Sequence, residues 1–429
     1  MNQSHGTAEL TSARARLAAS PGTDAAVDLP PDPLVRPARV PRLTGTPALV
    51  LLASLIVSML AASAAPTPLY AFYQHEWGFT PITTTIVFGV YAVAVLGSLL
   101  VFGRLSDYAG RRPVLLAALA VQVVSLLVYA SATGVGVLMA ARVIQGLSTG
   151  AALGAIGAGM LDVSRERGPL ANALAPGIGT GSGALLSALF IQFLPAPAHL
   201  IYLVLAGVML VQAAGVALLR ETVTTSPVRA SVLVPEVRLP RAVRGPILAA
   251  APVLFAVWAL AGLYGALGPS LVQALTGSSN VVLGGASLTT LTVTAVAAVY
   301  LLRNTAARTV MLTGIGALVV GVAITLIALG TGSAALFFTG TAVSGIGFGS
   351  GFQGGIRTVV PLAAPQERAG VLSLLFVVSY LGMGVPAVAA GFLTVHGAGL
   401  TGAARDYGVA LIVLAGLALV ALARPRRAR

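Results

Sequence analysis

A charged side chain inside an apolar stretch needs a physical reason, and this sequence has two such arginines. Arg142 lies in R-V-I-Q-G, with Gln145 and Thr149 near the same helical face and Gly146 one turn on. A guanidinium does not release its proton at accessible pH, so Arg142 cannot itself relay protons. It can attract an anion, or lower the pKa of a carboxylate brought close to it in low dielectric. The competing reading is a side chain that snorkels to the membrane boundary. Arg357, with Gln353 one turn earlier, has two readings of the same kind: a cation facing a cavity, or an anchor for the end of its helix. Tyr70, Tyr91, Gln122, Trp258, Tyr264 and Tyr380 also fall in apolar stretches, where each can contact a substrate, pack, or anchor at the boundary.

Enzymatic chemistry has no foothold among the motifs. There is no H-E-x-x-H, G-x-S-x-G or Walker loop. With no cysteine there is neither a disulfide framework nor a thiolate metal site. His75, His199 and His396 are isolated and expected in loops outside the cell, as solvated residues rather than ligands. The expectation is a protein that is not an enzyme, with no catalytic residue, no metal and no cofactor.

The elements that must position these residues follow from composition. Hydrophobic residues make up 57% of the chain and charged residues 9%, with a mean hydropathy of +0.94, which a water-soluble fold of ordinary composition could not bury. The chain reads as an all-α integral membrane protein. Twelve apolar stretches are each long enough to cross a bilayer, at 47–72, 82–102, 113–132, 135–162, 169–193, 199–219, 246–274, 280–302, 308–329, 334–361, 368–394 and 404–423. All 25 basic residues are arginine. On this map 22 of the 25 fall on one side, which the preference of Arg for cytoplasmic loops makes the cytoplasm, with both termini there. That bias explains the net charge of +13 without a nucleic-acid partner.

Residues 1–46 are polar and proline-bearing and read as a disordered cytoplasmic tail; the first apolar run is too late and too long for a cleavable signal peptide. A basic middle loop at 220–245 divides the spans into an N-terminal half, 47–219, and a C-terminal half, 246–423, with a basic cytoplasmic end at 424–429. The halves show traces of duplication. Q-G-L-S-T-G from Gln145 faces S-G-I-G-F-G from Ser344 at an offset of 199, and Glu166-Arg167 faces Glu367-Arg368 at 201.

The short turn between the second and third spans, G-R-L-S-D-Y-A-G-R-R-P from Gly103 to Pro113, is the most specific stretch. It resembles the loop motif of the major facilitator superfamily, G-x-L-x-D-x-x-G-R-R, with Gly103, Leu105, Asp107, Gly110, Arg111 and Arg112 at every fixed position. R-V-I-Q-G resembles a second pattern of that superfamily, R-x-x-Q-G. The resemblance covers essentially residues 47–423. It implies two related six-helix halves, a central cavity lined by spans 1, 4, 7 and 10, and alternating access by rocking of the halves. It also implies an inner-face latch in which Asp107 meets the positive end of span 11, around Gln366 to Gly370, with Asp162 and Glu166 nearby.

The antiporter branch carries a glycine pattern containing Gly-Pro in span 5. Here Pro176 precedes Gly177 and G-I-G-T-G-S-G follows without a Gly-Pro pair, which favours close packing. In span 1, A-P-T-P-L-Y predicts a kink that leaves backbone carbonyls without helical partners. The expected function is secondary transport of a small molecule across the cell membrane, foremost efflux of amphipathic compounds. The alternatives are proton-coupled uptake of a polar or anionic metabolite held by Arg142 and Arg357, and a non-transporting receptor. The expected partners are the substrate, the bilayer and, as coupling ion, the proton.

Overall fold

A computed structural model of the protein describes residues 42–423 apart from 236, 238, 279 and 398. Most of the tail expected at 1–46, the C-terminal residues 424–429, and Glu236 and Arg238 of the middle loop lie outside the described residues. Among the described residues twelve helices are long and apolar enough to cross a membrane: Gly45–Trp77, Pro81–Phe102, Arg111–Ala130, Val135–Val163, Gly168–Phe193, Pro197–Ala217, Arg241–Thr276, Val281–Leu301, Ala307–Thr331, Ala334–Leu362, Arg368–His396 and Gly399–Val420. We refer to them as spans 1 to 12.

Their ends follow local chemistry. Proline occupies the first turn of spans 2, 5 and 6, where its missing N–H costs nothing. Asn280 and Ser333 cap spans 8 and 10 with side-chain oxygens. Several helices overrun the apolar windows. Span 1 runs on to Trp77 and span 11 to His396, so His75 and His396 sit in final helical turns, and His199 in a first turn, rather than in loops. Span 12 starts at Gly399, five residues before the expected 404, and so takes Arg405 and Asp406 into its second turn. Hydropathy marks the membrane-crossing part, whereas backbone hydrogen bonding continues until a residue stops it.

Burial separates the spans into inner and outer. Within the most apolar window, spans 1 and 7 are 61% buried and spans 4 and 10 are 50% buried, against 39–44% for the other eight. Spans 1, 4, 7 and 10 are therefore the enclosed helices of the two halves. The exposed large side chains, such as Val93, Phe193, Val211, Leu301 and Leu417, form the apolar outer surface.

The duplicated pattern has a packing counterpart. A Cβ on Gly150 of span 4 would lie 2.5 Å from the Val95 carbonyl oxygen of span 2, and one on Gly349 of span 10 would lie 2.5 Å from the Ala295 carbonyl oxygen of span 8. On the next face Ser148 donates to the Ala118 carbonyl of span 3 at 2.7 Å, while Gly347 lies against Gly314 and Leu318 of span 9. Spans 2 to 4 and 8 to 10 thus repeat one packing scheme at the offset read from the sequence. The two halves meet through span 2 against span 11 and span 5 against span 8, with Gly89 beside Val388, Gly384 beside Ala92 and Gly285 against Ala184 and Ala188.

Candidate functional site

Span 1 breaks at Ala65, between helical segments Gly45–Ala64 and Pro66–Trp77. Pro66 has no N–H to donate to the carbonyl of Ala62, four residues back. That carbonyl accepts instead from the Gln145 amide of span 4 at 3.0 Å. The neighbouring Ser63 carbonyl accepts from Arg142 at 2.9 Å. Pro66 therefore frees the Ala62 carbonyl for Gln145, and the Ser63 carbonyl beside it serves Arg142.

Arg142 is fully buried, which sets aside the snorkelling reading. Its Nε donates to the Tyr70 hydroxyl at 3.1 Å, one terminal nitrogen donates to the same oxygen, and the other donates to Gln145 Oε1 at 2.9 Å. The rings of Tyr70, Tyr91 and Tyr129 lie around the guanidinium at 5.6, 5.1 and 5.9 Å. Tyr129 also donates to Gln145 Oε1 at 3.0 Å. Among the described residues no carboxylate lies within 4.0 Å of Arg142. The cation is held by neutral oxygens and ring faces, which offset part of its desolvation and leave its charge uncompensated. Thr149, seven residues along the helix, is buried with its hydroxyl unpartnered.

Across the half interface stands an aromatic group. Trp258 of span 7 packs against Phe348 and Phe352 of span 10 at 6.3 and 5.4 Å and against Tyr380 of span 11 at 5.0 Å. Tyr91, whose ring lies nearest to the guanidinium, belongs to the same apolar cluster as Tyr380, with Trp258 packed against it. Trp258 Nε1 and Gln353 Oε1 are buried without hydrogen-bond partners, as are both amide atoms of Gln122. Tyr91 of span 2 thus belongs both to the surroundings of Arg142 and to the apolar cluster that holds the aromatic group of spans 7, 10 and 11.

Two expected site residues lie elsewhere. Tyr264 turns into the C-terminal half, where its hydroxyl meets Thr341 at 2.9 Å and Thr325 at 3.4 Å. Thr341 is 199 residues after Arg142, so a span 7 tyrosine on span 10 repeats the pairing of Tyr70 with Arg142 in a neutral form. Arg357 donates to the Leu302 and Thr305 carbonyls at 3.3 and 2.7 Å, closing the end of span 8 as an anchor does.

On the charged face, the turn between spans 2 and 3 is tied to its own half. Arg111 pairs with Asp107, bonds Ser106 Oγ at 2.7 Å and pairs with Asp162 of span 4 at 3.1 Å. Gly110 has φ +97°, a conformation that a side chain strains, and a Cβ there would also lie 2.8 Å from the Glu221 carboxylate. That carboxylate accepts from the backbone N–H groups of Arg111 and Arg112 at 2.9 and 3.0 Å, so it caps span 3 from the loop after span 6. Gly103 lies against Gly154 of span 4, whereas Glu166 is exposed two residues before span 5. The motif resemblance implies Asp107 at the positive start of span 11; the described contact of its carboxylate is the ion pair with Arg111.

Glu221 and Tyr129 had not been expected in these roles. A lone acid beside Arg220 at the head of a basic loop was the available signal for Glu221; Tyr129 carried none. Glu221→Gln keeps the shape but removes the negative charge at the start of span 3. We expect a loss of about 0.3–2 kcal/mol, read as a lowered melting temperature in detergent, and unchanged melting would show that the charge contributes nothing there.

The comparisons agree with this architecture. The family model described as Major Facilitator Superfamily matches residues 50–302. The chain is 34% identical over 158 residues to the cephamycin export protein CmcT of Amycolatopsis lactamdurans, covering 35% of this chain and 32% of that one. It is 34% identical over 114 residues to an uncharacterized transporter of Rickettsia felis, covering 25% and 27%. The matched stretches span about a third or less of either relative's length. Among solved structures, the nucleoside transporter NupG aligns with a TM-score of 0.63 at 13% identity over 88% of this chain and 100% of that one. The human organic anion transporter MFSD10 aligns at 0.61 and 15% over 88% and 99%. Twelve membrane-crossing helices in two six-helix halves, with a match over more than half the chain, place this multi-pass membrane protein in the Major Facilitator Superfamily of small-molecule transporters.

Proposed function

We propose that this secondary transporter exports amphipathic organic anions across the cytoplasmic membrane by alternating access. The observation that carries the reading is Arg142, a permanent charge fully buried among neutral partners. An anionic group entering beside it would supply the missing countercharge in low dielectric, and the Trp258, Phe352 and Tyr380 rings would receive an apolar body. Resemblance to a cephamycin export protein over about a third of each chain supports the outward direction. The substrate and coupling set is Tyr70, Arg142, Gln145, Thr149, Trp258 and Gln353, with Arg357 and Tyr264 supporting the helices around it.

In this proposal the halves 47–219 and 246–423 rock about the 220–245 loop, both termini are cytoplasmic, and the charged face is the inner one. Arg142 is sealed, so a cycle requires span 2 to part from span 11, or span 5 from span 8, along their small-residue contacts. Protons couple through Asp107 or Asp162, or ride on the substrate, since Arg142 cannot carry them. The latch comprises Gly103, Asp107, Gly110, Arg111, Arg112, Asp162 and Glu166. Asp107→Asn would weaken the Arg111 pairing and bring transport down while expression stays near normal; unchanged accessibility of single cysteines on the two faces would reduce Asp107 to a turn-capping residue.

Orientation has its own check. Reporter fusions after Gly103 and within 220–245 should report the cytoplasm, and fusions near Ala132 and Gly397 the outside. A cytoplasmic signal at Ala132 would overturn the orientation. The reading as a whole is tested by flux of a panel of anionic, neutral and cationic amphiphiles in reconstituted vesicles, with and without an imposed pH gradient.

A further inference from the structure

Spans 2 and 11 run antiparallel across the half interface in a constant register: Thr85 lies against Gly391, Gly89 against Val388 and Ala92 against Gly384. Continued toward the charged face, that register sets Leu99 opposite Val377 and Gly103 opposite Ser373. Burial falls off along it. On this face span 2 is buried at Thr85, Phe88 and Ala92 but half-buried at Leu96, Leu99 and Gly103, and span 11 passes from buried at Gly384 and Tyr380 to half-buried at Val377 and Ser373. Span 1 shows the same polarity, since its Pro66–Trp77 segment packs on spans 7 and 8 and its Gly45–Ala64 segment on spans 4, 5 and 6. The halves are shut at the uncharged face and looser at the charged one, where Asp107 is 51% exposed and pairs with Arg111.

The loop after span 6 crosses this looser side. It leaves span 6 held by Leu43, whose backbone pairs with Leu218 and Arg220 at 2.8 and 3.2 Å, and the Ser226 N–H then donates to the Tyr108 carbonyl of the motif turn at 2.9 Å. The short helical turn Ala230–Leu233 packs on span 2. Val232, 6% exposed, is the one buried residue among the described residues from Thr222 to Ala242. The chain goes on to span 7, where Val243 joins the core of the C-terminal half. One flank of the charged end of span 2 is already occupied by span 4, with Gly103 against Gly154 and Ser98 donating to the Leu147 carbonyl. A segment that touches the motif turn, lies on span 2 and leads to span 7 therefore crosses the gap between the halves beside that end.

We propose that Ser226–Leu233 is a strap that holds the charged face open. Val232 occupies surface at the end of span 2 that span 11 must cover when the halves close there, and the Tyr108 carbonyl ties the strap to the motif turn. The device rests on the alternating-access reading. Water can satisfy both peptide groups of the Ser226–Tyr108 bond once it opens, so the larger cost of lifting the strap is exposure of the valine. The strap accordingly sets how often the charged face closes.

Because the chain has no cysteine, a cross-linking pair can be introduced without removing any other thiol. In the full chain in vesicles, Leu99→Cys with Val377→Cys should form a disulfide slowly under mild oxidant. Adding Val232→Asp, or Val232→Ser as a second variant, should speed that reaction about tenfold, the weight of one buried valine in an equilibrium. Val232→Ile keeps the apolar anchor and should leave the rate as it was. An equal or slower rate with both polar variants would overturn the strap. Absence of the disulfide in every background would overturn it too, and would remove closure of the charged face and with it alternating access. Cross-linking is read without substrate, so failure of the anion-export reading alone leaves an effect of Val232→Asp standing.

Discussion

Arg142→Ala should abolish transport while the protein still reaches the membrane. The substitution takes a donor from the Tyr70 hydroxyl and the Ser63 carbonyl, at about 1–3 kcal/mol apiece where nothing replaces it, while Gln145 Oε1 keeps the Tyr129 hydroxyl. It also removes a buried charge whose desolvation is itself costly, so the two terms oppose one another and folding survives. The loss to function has no such offset. A charge-assisted hydrogen bond contributes about 1.5–3 kcal/mol, which is about 10- to 150-fold in affinity for an anion. Arg142→Lys should recover only part of the rate, because a point charge replaces a planar fork that reaches Tyr70, Ser63 and Gln145 together. Rates in vesicles, normalised to inserted protein, check both; full activity in Arg142→Ala would remove the residue from the pathway.

Matched valines in the two halves should show that the packing scheme is repeated. Gly150→Val and Gly349→Val each drive a Cβ into backbone of the neighbouring helix, Val95 in one case and Ala295 in the other, and backbone cannot swing aside. Overpacking of this kind costs about 1–3 kcal/mol, so both variants should melt lower and insert poorly. Gly207→Val and Gly316→Val, one in each half, meet nothing within 4 Å and should behave as the wild type. Loss at Gly150 with tolerance at Gly349 would mean that the halves do not pack alike.

Much of this architecture was readable before any coordinates. Long apolar runs between short polar breaks fix a membrane fold, and an arginine alone in such a run marks its own importance because burial of a charge is expensive. The prolines of span 1 were legible in the same way: a missing N–H must free a carbonyl, and Ala62 is that carbonyl. What could not be read was direction around each helix. Helices that are apolar on nearly every side carry little periodicity, so Tyr264 could not be told from a cavity residue, nor Tyr129 recognised as part of the ring around Arg142. Glu221 was hidden for another reason. It reaches the start of span 3 from 110 residues away, through a loop whose course is set by the backbone groups it satisfies.

The same distinction explains Arg357. Its sequence surroundings gave two readings of equal standing, and only the positions of the Leu302 and Thr305 carbonyls separate them. Arg142 instead bonds the Ser63 carbonyl beside the break in span 1, the Tyr70 hydroxyl and the Gln145 side-chain oxygen, all inside the bundle.

The most direct measurement compares an amphipathic carboxylate with its neutral amide in inside-out reconstituted vesicles under an imposed pH gradient, for the wild type and for Arg142→Ala. The carboxylate should accumulate in wild-type vesicles, the amide should not, and Arg142→Ala should move neither. Gradient-driven accumulation of the neutral amide, undiminished in Arg142→Ala and in Asp107→Asn or Asp162→Asn, would contradict a pathway organised around this buried cation.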